Sequence, residues 1–443
     1  MPAVLNLKPE DIDNVEKRSK YSLSVIGCGQ NGILLATAFA DAGFKVICTD
    51  TNLSVIKKVT RGKTSFSGPE IEVKLKSLIN SGKLNVTSEL KKAVTQSDII
   101  IITVAAKVDD KKKIDYSDAI AACKQVAAAL HAGTLVIYCN IAAFGFNEGI
   151  MKETFENTSG LKVGQDFGLA YIPLQTSDAK YASQLSNLEL KVAVTGRTNI
   201  DTVTNILKKI TNNVKQINDV KIAEIATLFT IARKDSNTAL ANELAVFCEN
   251  AHIDYFEVLK VLDVNNPSFW PTTVEEENKN EAYLLLESAE NINSKLRLSV
   301  LSRQINEDMV KHAVNLTQDA LRACNKTLRR ARIAVLGIVN HPTGIFVKML
   351  ELKGAKVSLY DPLAKRESLD LGVVKSSSLN ESVEGTDCII VLTGEDQFKN
   401  LNLKKLKALT KTPAVIVDLA GVFEPKKVET EGFIYRGLGR GTE

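Results

Sequence analysis

A chain of 443 residues is too long for one hydrophobic core and predicts two or three domains. Its 44% hydrophobic and 24% charged residues are the proportions of an ordinary soluble globular protein. The formal charge of +4, with both signs spread along the chain, gives no reason to expect nucleic acid or an anionic membrane as partner.

Residues 1–20 read as a short polar arm or helix, with no signal peptide. From residue 21 strand and helix patterns alternate. Strands are predicted over 22–26, 45–49, 99–104, 134–138, 168–171 and 190–194, with helical stretches between most of them. This alternation predicts a doubly wound parallel α/β sheet over 21–215. The basic run Lys107, Lys111, Lys112 and Lys113 is interrupted by Asp109 and Asp110 and reads as a solvated loop.

The pattern changes over 216–330. A long helix is predicted over 221–262, with Ile225, Leu228, Phe229 and Ala232 at spacings of three and four, and a second helical run over 281–327. Between them Asn265, Asn266, Pro267 and Pro271 break a loop over 263–280. This stretch reads as an all-α spacer and dimerisation segment. At residue 331 the β/α pattern restarts, with strands over 333–336, 356–360, 388–392 and 414–418 and a helix ending at Leu352. The expected architecture is two Rossmann-like, doubly wound domains joined by a long helical dimerisation segment.

The first strand runs into Gly27-Cys28-Gly29-Gln30-Asn31-Gly32, then into the apolar stretch 33–42, and the second strand ends on Asp50. This is the G-x-G-x-x-G dinucleotide fingerprint in its strand–helix–strand context. Gly27 permits the tight turn, Gly29 lets the backbone approach a diphosphate, and Gly32 lets helix and strand pack closely. The diphosphate would lie on N–H groups at the helix N-terminus. Asp50 would accept hydrogen bonds from the adenosine ribose and repel a 2′-phosphate, which favours NAD over NADP. Gln30 and Asn31 inside the loop read either way. Val104 and Cys139, at strand ends on the carboxyl edge of the sheet, complete the expected cofactor-facing set.

Seven scattered cysteines without C-x-x-C fit a reducing cytoplasm, and four histidines show no metal-ligand spacing. No apolar run approaches the roughly 20 residues of a membrane helix. Cys139 is either a nucleophile near the nicotinamide or a small buried thiol. The other cysteines sit in strand or helix patterns and read as structural. Lys234 and the Glu275-Glu276-Glu277 run read as solvated surface.

The order of NAD domain, helical linker and smaller Rossmann-like domain resembles the UDP-glucose / UDP-N-acetylmannosamine dehydrogenase family. The resemblance is carried by several runs in sequence: 99–106 with Asp115-Tyr116-Ser117; Ala239-Leu240-Ala241-Asn242-Glu243-Leu244-Ala245 with His252-Ile253-Asp254; 303–309; Gly354-Ala355-Lys356-Val357 with Tyr360-Asp361-Pro362; and the tail 435–441. It implies a cytoplasmic enzyme of polysaccharide biosynthesis, a homodimer through the central helices. Such an enzyme oxidises the C6 alcohol of a UDP-sugar to the uronate with two NAD, through a cysteine thiohemiacetal. An N-acetylated UDP-hexosamine is favoured over UDP-glucose.

The chain also departs from that pattern. The family's Gly-Gly-His-Cys loop corresponds to residues 265–282, which contain no cysteine, histidine or glycine, and the thiol position falls near Glu277. The family's helical Lys and Asn fall on Thr227 and Ile231. Its Pro-Glu-Arg run appears as Pro173-Leu174-Gln175, and its Ser-Thr as Cys139-Asn140. Its C-terminal Phe-Lys…Arg run is replaced by Ile338-Val339-Asn340-His341-Pro342-Thr343. Catalytic residues are therefore unassigned, and a second reading stands beside the enzyme: a degenerate homologue acting as a non-enzymatic NAD- or nucleotide-sugar-binding regulatory partner.

Overall fold

The computed structural model describes residues 4–64, 69–109, 111–174, 185–262, 269–273, 279–337, 340–362 and 374–441. The chain divides into two compact units, residues 1–230 with 283–294, and residues 231–282 with 295–443. The central helical residues are thus shared between the units.

The first unit is built on strands β1 (Ser22–Ile26), β2 (Lys45–Thr49), β3 (Leu84–Thr87), β4 (Ile99–Ile102), β7 (Leu135–Tyr138), β8 (Gly168–Tyr171), β9 (Glu189–Thr195) and β10 (Asn213–Gln216). A small ribbon, β5 (Lys107–Val108) with β6 (Ile114–Asp115), stands apart. The sheet order is β10-β9-β8-β7-β4-β1-β2-β3, so the winding reverses between β1 and β4, the switch point at which such sheets bind ligands. The central strands are apolar on both faces: all four isoleucines of β4 are buried, as a strand covered by helices on both sides requires. The sheet is not wholly parallel. β9 runs antiparallel to β8, with Tyr171 opposite Ala193, and this places the start of β9 at the carboxyl edge of the sheet.

The N-terminal segment, expected as a short polar arm or helix, forms short helical turns that are packed against the sheet. Val4, Leu7 and Ile12 are buried in the core on one face of the sheet, and the Thr202 hydroxyl donates to the Leu5 carbonyl at 3.2 Å. Three apolar residues spaced among charges are enough to strap the segment down.

Helix α1 (Gln30–Asp41) follows the glycine loop. Helix α2 (Val220–Asn250) is shorter than expected, and α3 (Tyr255–Val261) follows separately. His252 between them has φ 56°, and Asp254 caps α3 by accepting from the Phe256 and Glu257 N–H groups. The second helical run is likewise two helices, α4 (Lys279–Asn291) and α5 (Arg297–Ala323), parted at Asn293 with φ 56°.

The second unit contains a parallel six-stranded sheet. Its strands are β11 (Arg332–Leu336), β12 (Lys356–Tyr360), β13 (Val374–Lys375), β14 (Cys388–Val391), β15 (Val415–Asp418) and β16 (Ile434–Gly437), in the order β13-β12-β11-β14-β15-β16. Its helices carry a buried polar network. Asp235 pairs with Arg303, the Asn306 amide donates to the Asp235 carboxylate at 2.9 Å, and the Asn242 amide donates to Asn306 Oδ1 at 2.9 Å. The C-terminal tail is clasped by Glu249, which accepts from the Gly439 N–H at 2.7 Å, and by Arg440 on Asp254 at 2.5 Å.

Candidate dinucleotide site

The glycine loop has the geometry its sequence predicts. Gly27 has φ 104°, and its N–H donates to the Thr49 carbonyl at 2.8 Å. A Cβ on Gly32 would stand 1.8 Å from the Gly27 carbonyl oxygen, so only glycine lets α1 start this close to β1. A Cβ on Gly29 would meet nothing within 4 Å, so the loop is open on the side a diphosphate must approach. Gly29 is the N-cap residue of α1 and adds no side chain at the helix N-terminus, the end that favours an anion.

Asp50 is already oriented. Its Oδ2 accepts from the Cys28 N–H and its Oδ1 from the Asn52 N–H, both at 2.8 Å. Each oxygen keeps a lone pair for a ribose hydroxyl. Val104 lies against the loop: its Cγ2 would be 3.5 Å from a Cβ on Gly27, and its carbonyl accepts from the Tyr138 hydroxyl at 3.2 Å. Asn31 Nδ2 donates to the Leu174 carbonyl at 3.2 Å, which ties the loop to the end of β8.

Two expected cofactor-facing residues turn inward. Cys139 is fully buried in the core with its N–H on the Ile102 carbonyl, and burial pushes its thiol far above the usual range. A protonated, inaccessible thiol is not a nucleophile, so of its two readings the structure supports the small buried thiol. Cys28 is buried too, its Sγ 2.8 Å from Cys48 Sγ. The remaining cysteines are also buried.

The carboxyl edge holds residues the sequence did not single out. Glu224 on α2, one turn before Thr227, is fully buried. It accepts from the Gly145 N–H at 2.7 Å, the Asn147 N–H at 3.0 Å and Asn147 Nδ2 at 2.8 Å. Burial raises its pKa against the pull of those donors. An acid on an otherwise apolar helix face was the signal available. Nearby, Pro173, Leu174, Glu189, Lys191 and Thr227 help line a cavity of about 160 Å³. Glu189 and Lys191 are alternate residues of β9, so they share a face, and they are the ionisable residues of its lining.

Glu275, Glu276, Glu277, Gln175, Ile338 and Val339 lie outside the described residues, as does most of the 263–280 loop. Among the described residues no group of three or more His, Cys, Asp or Glu side chains is placed to hold a metal ion. No described helix is long and apolar enough to cross a membrane.

Comparison with known proteins bears on this geometry. The NAD binding domain of the UDP-glucose/GDP-mannose dehydrogenase family matches residues 21–218, and the UDP binding domain of the same family matches residues 341–425. The chain belongs to the UDP-glucose/GDP-mannose dehydrogenase family. It is 27% identical over 441 residues to the UDP-N-acetyl-D-mannosamine dehydrogenase of Pyrococcus horikoshii, covering 95% of this chain and 99% of that one. It is 23% identical to the UDP-glucose 6-dehydrogenase of Rhizobium meliloti, covering 94% and 99%. The solved P. horikoshii structure superposes with a TM-score of 0.83 over 95% of this chain and 99% of that one, at 27% identity. A UDP-glucose dehydrogenase structure from Pyrobaculum islandicum, at 20% identity, shares the fold with a TM-score of 0.81 over 95% and 98% of the two chains. NAD is the cofactor of the family's matched N-terminal domain, and the glycine loop with Asp50 fits it. These relatives are dehydrogenases by name and lend no support to the non-enzymatic reading.

Proposed function

We propose that this chain is an NAD-dependent dehydrogenase acting on the C6 alcohol of a UDP-linked sugar, of the UDP-N-acetylmannosamine or UDP-glucose type. The observation that carries the reading is a complete dinucleotide cradle, Gly27, Gly29, Gly32 and Asp50, in one chain with a matched UDP binding domain. NAD held there supplies the hydride acceptor. The chain supplies the rest. The loop backbone and the start of α1 receive the diphosphate, and Asp50 receives the ribose. In the cavity beside Leu174, Glu189 is the carboxylate available to take the hydroxyl proton, and Lys191 is the cation available to hold the oxygen as charge develops.

The uronate product of the related family needs a second oxidation through a thiol. All seven cysteines here are buried, so we read the alcohol-to-aldehyde step as the one performed, with one NADH per sugar. The test is NADH formation with excess NAD over a panel of UDP-sugars. One NADH and an aldehyde support the reading. Two NADH per sugar refute the one-step version, and no NADH from a folded chain that binds NADH refutes the dehydrogenase.

The exposed apolar side chains Leu240, Leu244 and Phe247 lie on one face of α2 at spacings of four and three, which supports a homodimer through this helix. That all seven cysteines are free thiols supports a cytoplasmic location. Sedimentation of the purified chain tests the first; fractionation of its source cell tests the second.

A further inference from the structure

Two thiols meet beneath the glycine loop. Cys28 Sγ and Cys48 Sγ are 2.8 Å apart, and both side chains are fully enclosed. Among the described residues no other pair of cysteine sulfurs is in such contact. Cys28 stands between Gly27 and Gly29. Cys48 stands in β2, one residue before Thr49, whose carbonyl receives the Gly27 N–H, and two before Asp50, whose carboxylate receives the Cys28 N–H. The sulfur contact and the Cys28–Asp50 hydrogen bond therefore close one small ring at the base of the dinucleotide cradle. Neither thiol has a part in the hydride chemistry.

We propose that Cys28 and Cys48 are an oxidisable pair whose reversible disulfide lowers the affinity of the loop for dinucleotide. The affinity part rests on the dinucleotide reading above; formation of the bond does not. A disulfide bond is about 2.05 Å long, so the sulfurs close by roughly 0.8 Å. Cys48 is held in the sheet on both sides, opposite Val25 and Val86, whereas Cys28 belongs to the loop. The loop is the part that moves. Its movement disturbs the Cys28–Asp50 hydrogen bond and shifts Gly29, where α1 begins.

With a peroxide as oxidant the step balances. One thiolate sulfur attacks an oxygen of hydrogen peroxide, the O–O bond breaks, and the leaving hydroxide takes up one proton to become water. The second sulfur then displaces the hydroxyl of the sulfenic acid, which leaves as a second water, and the two thiols have lost two electrons and two protons. A small dithiol reverses this by two exchanges and leaves as its own disulfide. The hydrogen bond to the Cys48 sulfur, with burial added, holds the Cys28 thiol protonated, so reaction waits on local opening of the loop, and dinucleotide bound across the loop slows it.

The test uses the full chain, purified reduced and then exposed to hydrogen peroxide. Thiols are alkylated under denaturing conditions and the chain is digested with trypsin. The expected result is a link between peptides 21–45 and 46–57, each of which holds one cysteine, with the other five cysteines of the seven alkylated. Dithiothreitol restores all seven. The oxidised form is expected to bind NADH about five- to ten-fold more weakly, with recovery on reduction, and saturating NADH to slow the linking by a similar factor. Cys48→Ala is expected to abolish both the link and the oxidant sensitivity; where that variant fails to fold, the oxidised and reduced wild-type forms decide. Seven free thiols after exposure, or a link between other cysteines, overturns the site. A link with unchanged NADH affinity overturns the coupling. NADH binding by neither form overturns the coupling through failure of the dinucleotide reading, and the mapped peptide link then stands apart from it.

Discussion

Asp50→Asn is the sharpest probe of the cradle. In the wild type, Oδ1 and Oδ2 each accept one backbone N–H at 2.8 Å, which fixes the carboxylate before any ligand arrives. Asparagine keeps one acceptor oxygen, so its amide nitrogen must face either the Cys28 N–H or the Asn52 N–H, donor against donor. Toward the ribose, one charge-assisted hydrogen bond is lost and the other becomes a neutral one. Hydrogen bonds to charged groups are worth about 1.5–3 kcal/mol and neutral ones about 0.5–1.5. Asp50 is partly exposed, so the lower part of the range applies, and the expected loss is about 1.5–3 kcal/mol, or roughly 10- to 100-fold in NADH affinity. The assay is NADH fluorescence titration on both chains, with circular dichroism to show that the variant is folded. NADPH is the internal control. The wild type should prefer NADH, and the variant, with no carboxylate to repel a 2′-phosphate, should show a smaller preference. Wild-type affinities equal for NADH and NADPH, or an NADH affinity unchanged to within about two-fold in the variant, would refute the assignment of Asp50 to the ribose.

Glu224→Gln replaces a carboxylate that accepts from three donors with a group that cannot serve all of them, and should cost about 1–3 kcal/mol, read as a lower urea midpoint. The pH dependence has a definite sign. The folded pKa of Glu224 is raised, so its contribution to stability is greatest below the unfolded value of about 4.3 and is lost as pH rises toward the folded one. The wild type should therefore gain on the variant as pH falls through that window; a gap that narrows instead contradicts the assignment. Lys191→Ala and Glu189→Gln should each lower kcat by about 10- to 1,000-fold while leaving NADH affinity unchanged, measured by steady-state kinetics beside titration. Cys139→Ala should leave kcat unchanged, because that thiol is buried and protonated; a large fall in kcat without loss of fold would reinstate it as the nucleophile.

The elements legible in the sequence are those whose burial is written locally. β4 is four isoleucines, and β1, β11, β14 and β15 are similar apolar runs that end near glycine, aspartate or threonine. The overlooked strands β3, β10, β13 and β16 lie at sheet edges, and β5 and β6 form the separate two-stranded ribbon. β10 is Asn213-Val214-Lys215-Gln216 with three of its four residues exposed, so it has no buried face to leave a period-two signature. The two missed helix breaks have another cause. His252 and Asn293 adopt left-handed backbone without a glycine or proline beside them; histidine and asparagine are enriched in that conformation but are weaker breaks than glycine or proline. In the site, the loop and Asp50 were legible because a strand, a turn and a helix start are contiguous. Glu224 reaches Gly145 across 79 residues, and Lys191 and Thr227 line one cavity only because β9 returns antiparallel to β8. Folding, not sequence proximity, creates those neighbours.

The two Rossmann-like units repeat one local solution and differ where the cofactor chemistry lies. In each, an aspartate just ahead of a central strand accepts the N–H that opens the first strand: Asp98 from Ser22, and Asp387 from Arg332, both at 2.9 Å. In each, the glycine after the first strand lies under a threonine side chain, Gly27 by Thr103 and Gly337 by Thr393. The likeness then stops. The first unit continues with Gly29 and Gly32, and no larger residue fits at Gly32. The second continues with Ile338, Val339 and Asn340, and its next glycine, Gly344, lies seven positions beyond Gly337. A strand–turn–helix with one glycine at the turn lacks the second and third glycines of the dinucleotide fingerprint. Duplicated architecture therefore does not mean a duplicated cofactor site: the dinucleotide belongs to the first unit, and the second is left for the other nucleotide, in keeping with its match to a UDP binding domain.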